Sequence, residues 1–362
     1  MASPKAACKT GARRCVKQVS AQPKKGTAVE ITAYQDVAAF EALAAEWNPL
    51  LRRAPIDCVF YTWEWQKTWW AAYQPGELLI LACRKDGQLV GIAPLFTTES
   101  ARGKTTRIIG CVDVTDYLDF IIDRDHLSEA LTAFADYLQD KRASIGFLDL
   151  CNIPADSPTR QLLPNLLAER GFAVTVEQQE VCPVINLPGD WRGYLASLDK
   201  KQRHEVRRKL RRIQGSERAV DWYIVNGRHD LSHEIDTFVE LMAASDPEKE
   251  QFLQDEGNQR FFRAIVPLMQ ARGWLQLNFL TVDEIPAASY INFLYGDRVM
   301  VYNSGHAHDA FGELSPGIVL LAYNIRHAIE QGYQYFDFLR GDEAYKYRMG
   351  GRDTAVMNIR AE

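Results

Sequence analysis

The side chains best suited to chemistry gather in the last quarter of the chain. His306 and His308 lie two apart in a polar stretch with Asp309 following, and Tyr302 stands just before them. Two imidazoles and one carboxylate fall short of the four ligands of a structural zinc site, so no metal is expected there. A histidine near its ordinary pKa is better used as a general base, and His306 is the candidate, although it equally suits a plain loop position. Asp337 is a lone carboxylate in the apolar run Tyr335 to Leu339, and Glu343 follows that run. Either carboxylate can activate a nucleophile, with Lys346 or Tyr347 binding a carbonyl or phosphate. The structural alternative is an ion pair with Arg340 or Lys346, because a buried carboxylate needs a partner.

Phosphate-binding candidates come from two places. Ser315-Pro316-Gly317 offers a hydroxyl to cap free N–H groups, a proline for a first helical turn and a glycine, so Ser315 and Gly317 mark a helix start that can hold an anion. Between Lys200 and Arg212 there are eight Lys or Arg against one Glu. Val206, Leu210 and Ile213 form an apolar stripe on that helix, which docks by the stripe and shows cations elsewhere. Arg203 and Arg207, four apart, share a face and are the expected donor contacts. A merely solvated charged face, an anionic membrane or an RNA backbone would use the same residues.

The elements that must position these groups are legible. Ala288–Tyr295 and Val299–Ser304 read as a hairpin about Gly296-Asp297-Arg298, followed by a helix from Pro316 to Gly332 and a strand at Tyr335–Leu339. Earlier, Leu78–Phe96 reads as a hairpin, Arg107–Ile122 as further strand, Ser128–Lys141 as a helix and Ile145–Leu150 as a buried strand. That order of hairpin, strand, helix and strand recurs from 274 to 340, with GFLDL standing where YFDFL stands later, which implies two copies of one α/β unit. Phe60–Tyr73 packs four tryptophans at helical spacing behind Thr62 as a cap, and reads as core.

Leu314-Ser315-Pro316-Gly317, Tyr335 to Gly341 and Glu343 to Tyr347, together with Phe60 to Trp65 and Lys200 to His204, make residues 30 to 360 resemble the GNAT acyltransferase superfamily. The likeness is to its CelD/BcsL-type branch (the BioF-like acetyltransferase domain), related to the FemAB peptidyltransferases. The first copy lacks the Ser-Pro-Gly helix opening, and the common pyrophosphate signature of the superfamily is absent. The resemblance implies tandem GNAT-like (acyl-CoA N-acyltransferase) folds, mixed sheets flanked by helices, as 30–187 and 188–362, the second holding the donor site. It implies no permanently bound cofactor, acyl-CoA as cosubstrate, and base-assisted direct attack by an amine or hydroxyl of a polysaccharide, cell-envelope or sphingoid-type lipid acceptor. Ser315, Gly317, Arg203, Arg207, Arg340 and Lys346 would then hold the donor. His306, Asp337 or Glu343 would take the acceptor proton, and Tyr302 would protonate the leaving thiolate, as tyrosines do in many GNAT enzymes. The alternatives are a FemAB-like transfer from aminoacyl-tRNA and a non-catalytic module in polysaccharide biosynthesis.

Composition sets outer bounds. With 47% hydrophobic and 25% charged residues and a net charge of −5, the chain is an ordinary globular protein rather than a general polyanion binder, so nucleic acid is not the expected partner. The seven cysteines have no CxxC spacing and are odd in number, which argues against a zinc cage and a secreted disulfide framework and fits a reducing cytoplasm. No apolar run nears the roughly 20 residues of a membrane span, leaving peripheral contact at an inner membrane face as the one membrane role. Residues 1–29 contain no acidic residue before Val29, and read as a disordered basic tail.

Overall fold

The protein is described from a computed structural model covering residues 19–20, 29–111 and 114–362. The expected unstructured tail lies outside the described residues, except for β1 (Val19–Ser20), which pairs with Thr32 and Ala33, and for Val29, which opens the next strand.

The first half runs β2 (Val29–Tyr34), α1 (Ala38–Leu51), α2 (Trp63–Tyr73), β3 (Glu77–Lys85), β4 (Gln88–Ser100), β5 (Gly103–Ile108) and β6 (Ile121–Ile122). It continues with α3 (Leu127–Asp140), α4 (Arg142–Ile145), β7 (Phe147–Pro154), α5 (Pro158–Glu169) and β8 (Val174–Asn186). After α6 (Trp191–Ser197) and α7 (Lys200–Gln214), the second half repeats the order as β9 (Val220–Ile224), α8 (Leu231–Ser245), α9 (Pro247–Gln254), α10 (Glu256–Ala271), β10 (Leu275–Val282), β11 (Ile285–Tyr295) and β12 (Arg298–His306). Then come α11 (His308–Phe311), α12 (Pro316–Glu330), β13 (Tyr335–Asp337), α13 (Ala344–Arg348) and β14 (Arg352–Ala361).

One mixed sheet holds both halves, in the order β1-β2-β3-β4-β5-β7-β14-β8-β13-β12-β11-β10-β9, with β6 beside β4. From β2 to β9 this order is symmetric about the β14/β8 pair. β5 lies parallel to β7 in one half, as β12 lies parallel to β13 in the other, while the remaining neighbours are antiparallel. The last strand of each half is exchanged: β8 pairs with β13, and β14 pairs with β7. The two halves are therefore two copies of one α/β unit in tandem, as the repeated order implies, and β7 holds the place in the first that β13 holds in the second. The capped tryptophan helix forms as its sequence dictates, with the Thr62 side chain accepting from Trp65 N and Trp65 and Trp69 wholly buried.

Two expectations change. The stretch after Ile108, read as strand to Ile122, is irregular in its described residues apart from β6, because it crosses from one half to the other instead of joining a ladder. Asn152, at φ 57°, staples it by donating to Thr115 O at 2.8 Å and accepting from Leu118 N at 2.9 Å. Cys111 and Cys151 are joined in a disulfide, against the reduced state expected from spacing; the adjacency of β5 and β7 brings together residues 40 apart in sequence. Among the described residues no helix is long and apolar enough to cross a membrane.

The crossing segment carries two buried carboxyl contacts. Tyr117 donates its hydroxyl to Asp337 Oδ2 at 3.0 Å, and Arg298 Nη1 meets the same oxygen at 2.9 Å. Asp119 accepts from Ser157 Oγ at 2.5 Å and from Phe120 N at 2.7 Å, yet burial pushes its pKa up to about 6. Arg298→Met strips Asp337 of its counter-ion, and urea unfolding should show a loss of about 3 kcal/mol, much of it regained in the double variant with Asp337→Asn. For Asp119 the folded state favours the protonated acid, so its contribution is complete below the unfolded pKa near 3.8 and lost as pH rises through about 6. Asp119→Asn should therefore gain on the wild type by about 3 kcal/mol between acid and neutral pH; parallel stability–pH curves for the two proteins would rule this out.

Candidate active site

β12 is bent where it matters. Its register against β11 passes from Asn292↔Val301 to Ile291↔Asn303, leaving Tyr302 as an extra, bulged residue. A bulge re-aims side chains. Tyr302 packs against Phe60, Trp65, Phe262 and Phe293 and, with Asn303, lines a cavity on the α8–α10 face. Gly305 lies tight on the Leu241–Met242 backbone, where a Cβ would come within 2.3 Å of Met242 N. His306 faces the other way, beside Gly317 at the start of α12. Parallel pairing between β12 and β13 ends at Met300↔Asp337. Beyond it the chain stays with β8, through Phe338 N to Pro183 O and Gly341 N to Val181 O, while β12 runs on to His306. The two strands thus part at the bulge.

On the α12 face, Ser315 adopts φ 53° and Pro316 takes the first helical turn. The Ser315 hydroxyl does not cap the helix as expected; it accepts from Lys209 Nζ at 2.7 Å. The first amides of a helix have no acceptor within it. Here Val319 N is answered by Ser315 O, leaving the Gly317 and Ile318 amides as the open pair. Arg212 Nη1 donates to Glu313 O at 2.8 Å, so α7 lies directly beside this helix start. At about 100° per residue, Lys209 and Arg212 stand on one flank of the buried Val206–Ile213 stripe, and Arg203 and Arg207 on the other. Arg203 is turned instead to Ala196 O at 3.3 Å. Arg203 and Arg207, expected from the sequence, thus lie on the flank away from the α12 start, since periodicity defines a stripe and not which side of it meets a neighbour. Burial, then the neighbouring Arg208, lowers the Lys209 pKa, so an anion arriving here would relieve an existing strain on its charge.

On the opposite face, a cavity of about 230 Å³ is lined by Val114, Asp116, Met242, Glu248, Lys249, Phe252, Phe262, Tyr302 and Asn303. Asp116 is held by Arg340 Nε at 2.9 Å, so Arg340 is engaged with a residue of this cavity. Lys249 Nζ donates to Ser304 O at 2.6 Å, and burial lowers its pKa, with Asp246 and Glu343 opposing. Tyr302 donates to Val114 O at 2.9 Å; burial pushes its pKa well up, so the phenol keeps its proton at neutral pH. Asp116 and Lys249 were missed in the sequence. The acidic, aromatic run at 116–120 was a signal for the first, whereas α9 gave none.

Asp337 is wholly buried, and its partners are Arg298, Tyr117 and the Leu339 amide at 2.8 Å rather than the expected Arg340 or Lys346. β12 and β13 are paired at Arg298↔Tyr335, which puts Arg298 within reach, while Arg340 is turned to Asp116. Lys346, only 2% exposed, donates to the carbonyls of Leu339, Arg340 and Gly341 and pairs with Glu343 at 2.8 Å, so its cation closes a turn. Tyr347 stands at the surface, with its pKa raised to about 12 by a bond to Asp353. Among the described residues no metal-binding group is present, and the side chains of His308 and Asp309 lie outside that description.

Comparison with known proteins fits this geometry. Residues 200–347 match the acetyltransferase (GNAT) domain family, while no curated protein matches the chain. Among solved structures, FemX is similar at 14% identity and TM-score 0.62, over 87% of this chain and 95% of that one. L-PGS from Bacillus licheniformis is similar at 10% identity and TM-score 0.53, over 93% of both chains. The C-terminal domain of a putative lysylphosphatidylglycerol synthetase from Agrobacterium fabrum is similar at 10% identity and TM-score 0.52, over 90% of this chain and 92% of that one. At such identities the likeness is one of fold, and it extends over both halves. The splayed β12/β13 pair and the open start of α12 both lie inside the segment 200–347 that matches the acetyltransferase (GNAT) domain family, and the chain as a whole shares its fold with FemX.

Proposed function

We propose that this protein moves an acyl group from acyl-CoA to an amine or hydroxyl of a cell-envelope acceptor, a polysaccharide or a sphingoid-type lipid. The observation that carries the reading is the meeting of Lys209 and Arg212 with the open start of α12, beside the place where β12 and β13 part. A diphosphate is matched there by the Gly317 and Ile318 amides and by Lys209, since amides at a helix start and a nearby cation both favour anions. His306, next to Gly317, suits contact with the donor better than with the acceptor's proton. The pantetheine arm would pass between the strands to the bulge, and the acceptor would enter the cavity on the other face.

There the acceptor's lone pair attacks the thioester carbon, the new C–N or C–O bond forms and the C–S bond breaks. Tyr302 gives its proton to the leaving sulfur, and Asp116, fixed by Arg340, takes the acceptor's proton. Phe252 and Phe262 offer the cavity an apolar wall, suited to the hydrocarbon next to the reacting group. A second reading, transfer from an aminoacyl-tRNA, is favoured by the likeness in fold to FemX.

Thermal unfolding with acetyl-CoA and palmitoyl-CoA separates them. The acyl-CoA reading expects stabilisation of about 2.7 kcal/mol at a hundredfold excess over Kd. Lys209→Glu should weaken that binding about ten- to a hundredfold, the worth of a lost charge-assisted bond plus a new repulsion. No stabilisation by either thioester, together with stabilisation by aminoacyl-tRNA that falls steeply with salt, would transfer the assignment to the second reading.

A further inference from the structure

α7 carries more charge than the donor site uses. Between Lys200 and Arg212 its net charge is +7, in a chain whose net charge is −5. Among the described residues, Arg208 is the one cation of this run in an ion pair, with Glu205 at 2.8 Å. Lys209 and Arg212 are engaged at the start of α12. Arg203 is half-buried and turned to Ala196 O; Lys200, Lys201, Arg207 and Arg211 remain, all exposed and none paired with a carboxylate. Like charges one turn apart destabilise a helix, so such a row implies a partner that neutralises it.

The surroundings narrow the partner. An amphipathic helix enters a bilayer surface by its apolar face. On α7 that face is already taken, with Val206 and Ile213 buried against the protein, and none of the exposed large hydrophobic residues lies on the helix. The run carries no aromatic side chain on which a nucleic-acid base could stack. From Lys200 to Arg211 it extends only about 16 Å. A short acidic helix fits these limits, with carboxylates facing Lys200, Arg207 and Arg211, which share one face of α7.

We propose that the outward flank of α7 docks an acidic carrier protein that presents the acyl group on a phosphopantetheine arm. The inference rests on the thioester reading of the donor site, because this arm and its phosphate are the part that such a carrier shares with CoA. Docked on α7, the carrier stands one helix width, roughly 10 Å, from Lys209 and the Gly317 and Ile318 amides, within reach of its arm. In the transfer the C–S bond of the arm breaks, the acceptor's C–N or C–O bond forms, and the carrier keeps the protonated thiol.

The test uses the whole protein and a purified bacterial acyl carrier protein in apo and palmitoyl-loaded forms. Binding is followed by calorimetry at about 50 mM and about 300 mM salt, a range over which contacts between exposed charges are strongly screened. The variant Lys200→Glu/Lys201→Glu/Arg211→Glu takes the run from +7 to +1 and touches only exposed side chains. The proposal expects the loaded carrier to bind the wild type more tightly at low salt, and the variant to bind at least about tenfold more weakly. The stabilisation of the variant by palmitoyl-CoA should match that of the wild type. Failure of the carrier to bind at low salt, or equal binding by the variant, overturns it. So does binding of tRNA or phosphatidylglycerol vesicles, but not of the carrier, that the variant loses. Stabilisation by palmitoyl-CoA without carrier binding sinks this inference alone; carrier binding through the flank without stabilisation by palmitoyl-CoA sinks free CoA as donor and leaves the carrier.

Discussion

Asp337 is taken wholly out of water, and its carboxylate is met by the Arg298 guanidinium, the Tyr117 hydroxyl and the Leu339 amide. Burial raises its pKa, and Arg298 opposes this most strongly. A buried charge without such partners would be costly. These contacts tie together β12, the turn after β13 and the segment that crosses from the first half. They hold the two parallel strands together up to Met300↔Asp337 and leave them free to part beyond it. The candidate site begins where this clamp ends.

The bulge at Tyr302 then divides the work between two faces. One face receives His306, Gly317 and the cations of α7; the other receives Tyr302, Asn303 and Lys249, with Asp116 from the first half. A flat strand would alternate its side chains strictly and would send Asn303 to the side opposite Tyr302. The extra residue also lets Gly305 seat directly on the α8 backbone, an approach that any side chain would block. The two sides of one strand thus present different side chains and meet at a single gap.

The exchange of β8 and β14 gives this arrangement its rigidity. Each half completes the sheet of the other, so neither can move away without breaking the longest ladder in the molecule, ten pairs from Arg352↔Val184 to Ala361↔Val174. The crossing segment, stapled by Asn152 and supplying Asp116 to the cavity, is held beside that central pair, since Asn152 N in turn donates to Gln179 Oε1 of β8. The candidate site thus draws on both halves.

Local pattern by itself determined much of this protein: the two hairpin–helix–strand repeats, the capped tryptophan helix, the proline-led start of α12 and the docking stripe of α7. Each of these is written in neighbours a few residues apart, where periodicity and capping act. The ten-residue strand β14 and helix α9 were not anticipated, and the strand after Ile108 proved to be an irregular crossing. Only tertiary structure decided that Lys209 and Arg212, not Arg203 and Arg207, meet the helix start, that Lys346 turns inward, and that Asp337 is answered by Arg298 and, across 220 residues, by Tyr117. It also decided the Cys111–Cys151 bond. The reason is the same throughout: a sequence pattern specifies which face of an element is apolar, whereas the partner of a polar side chain depends on which distant segment folding brings to the adjacent position.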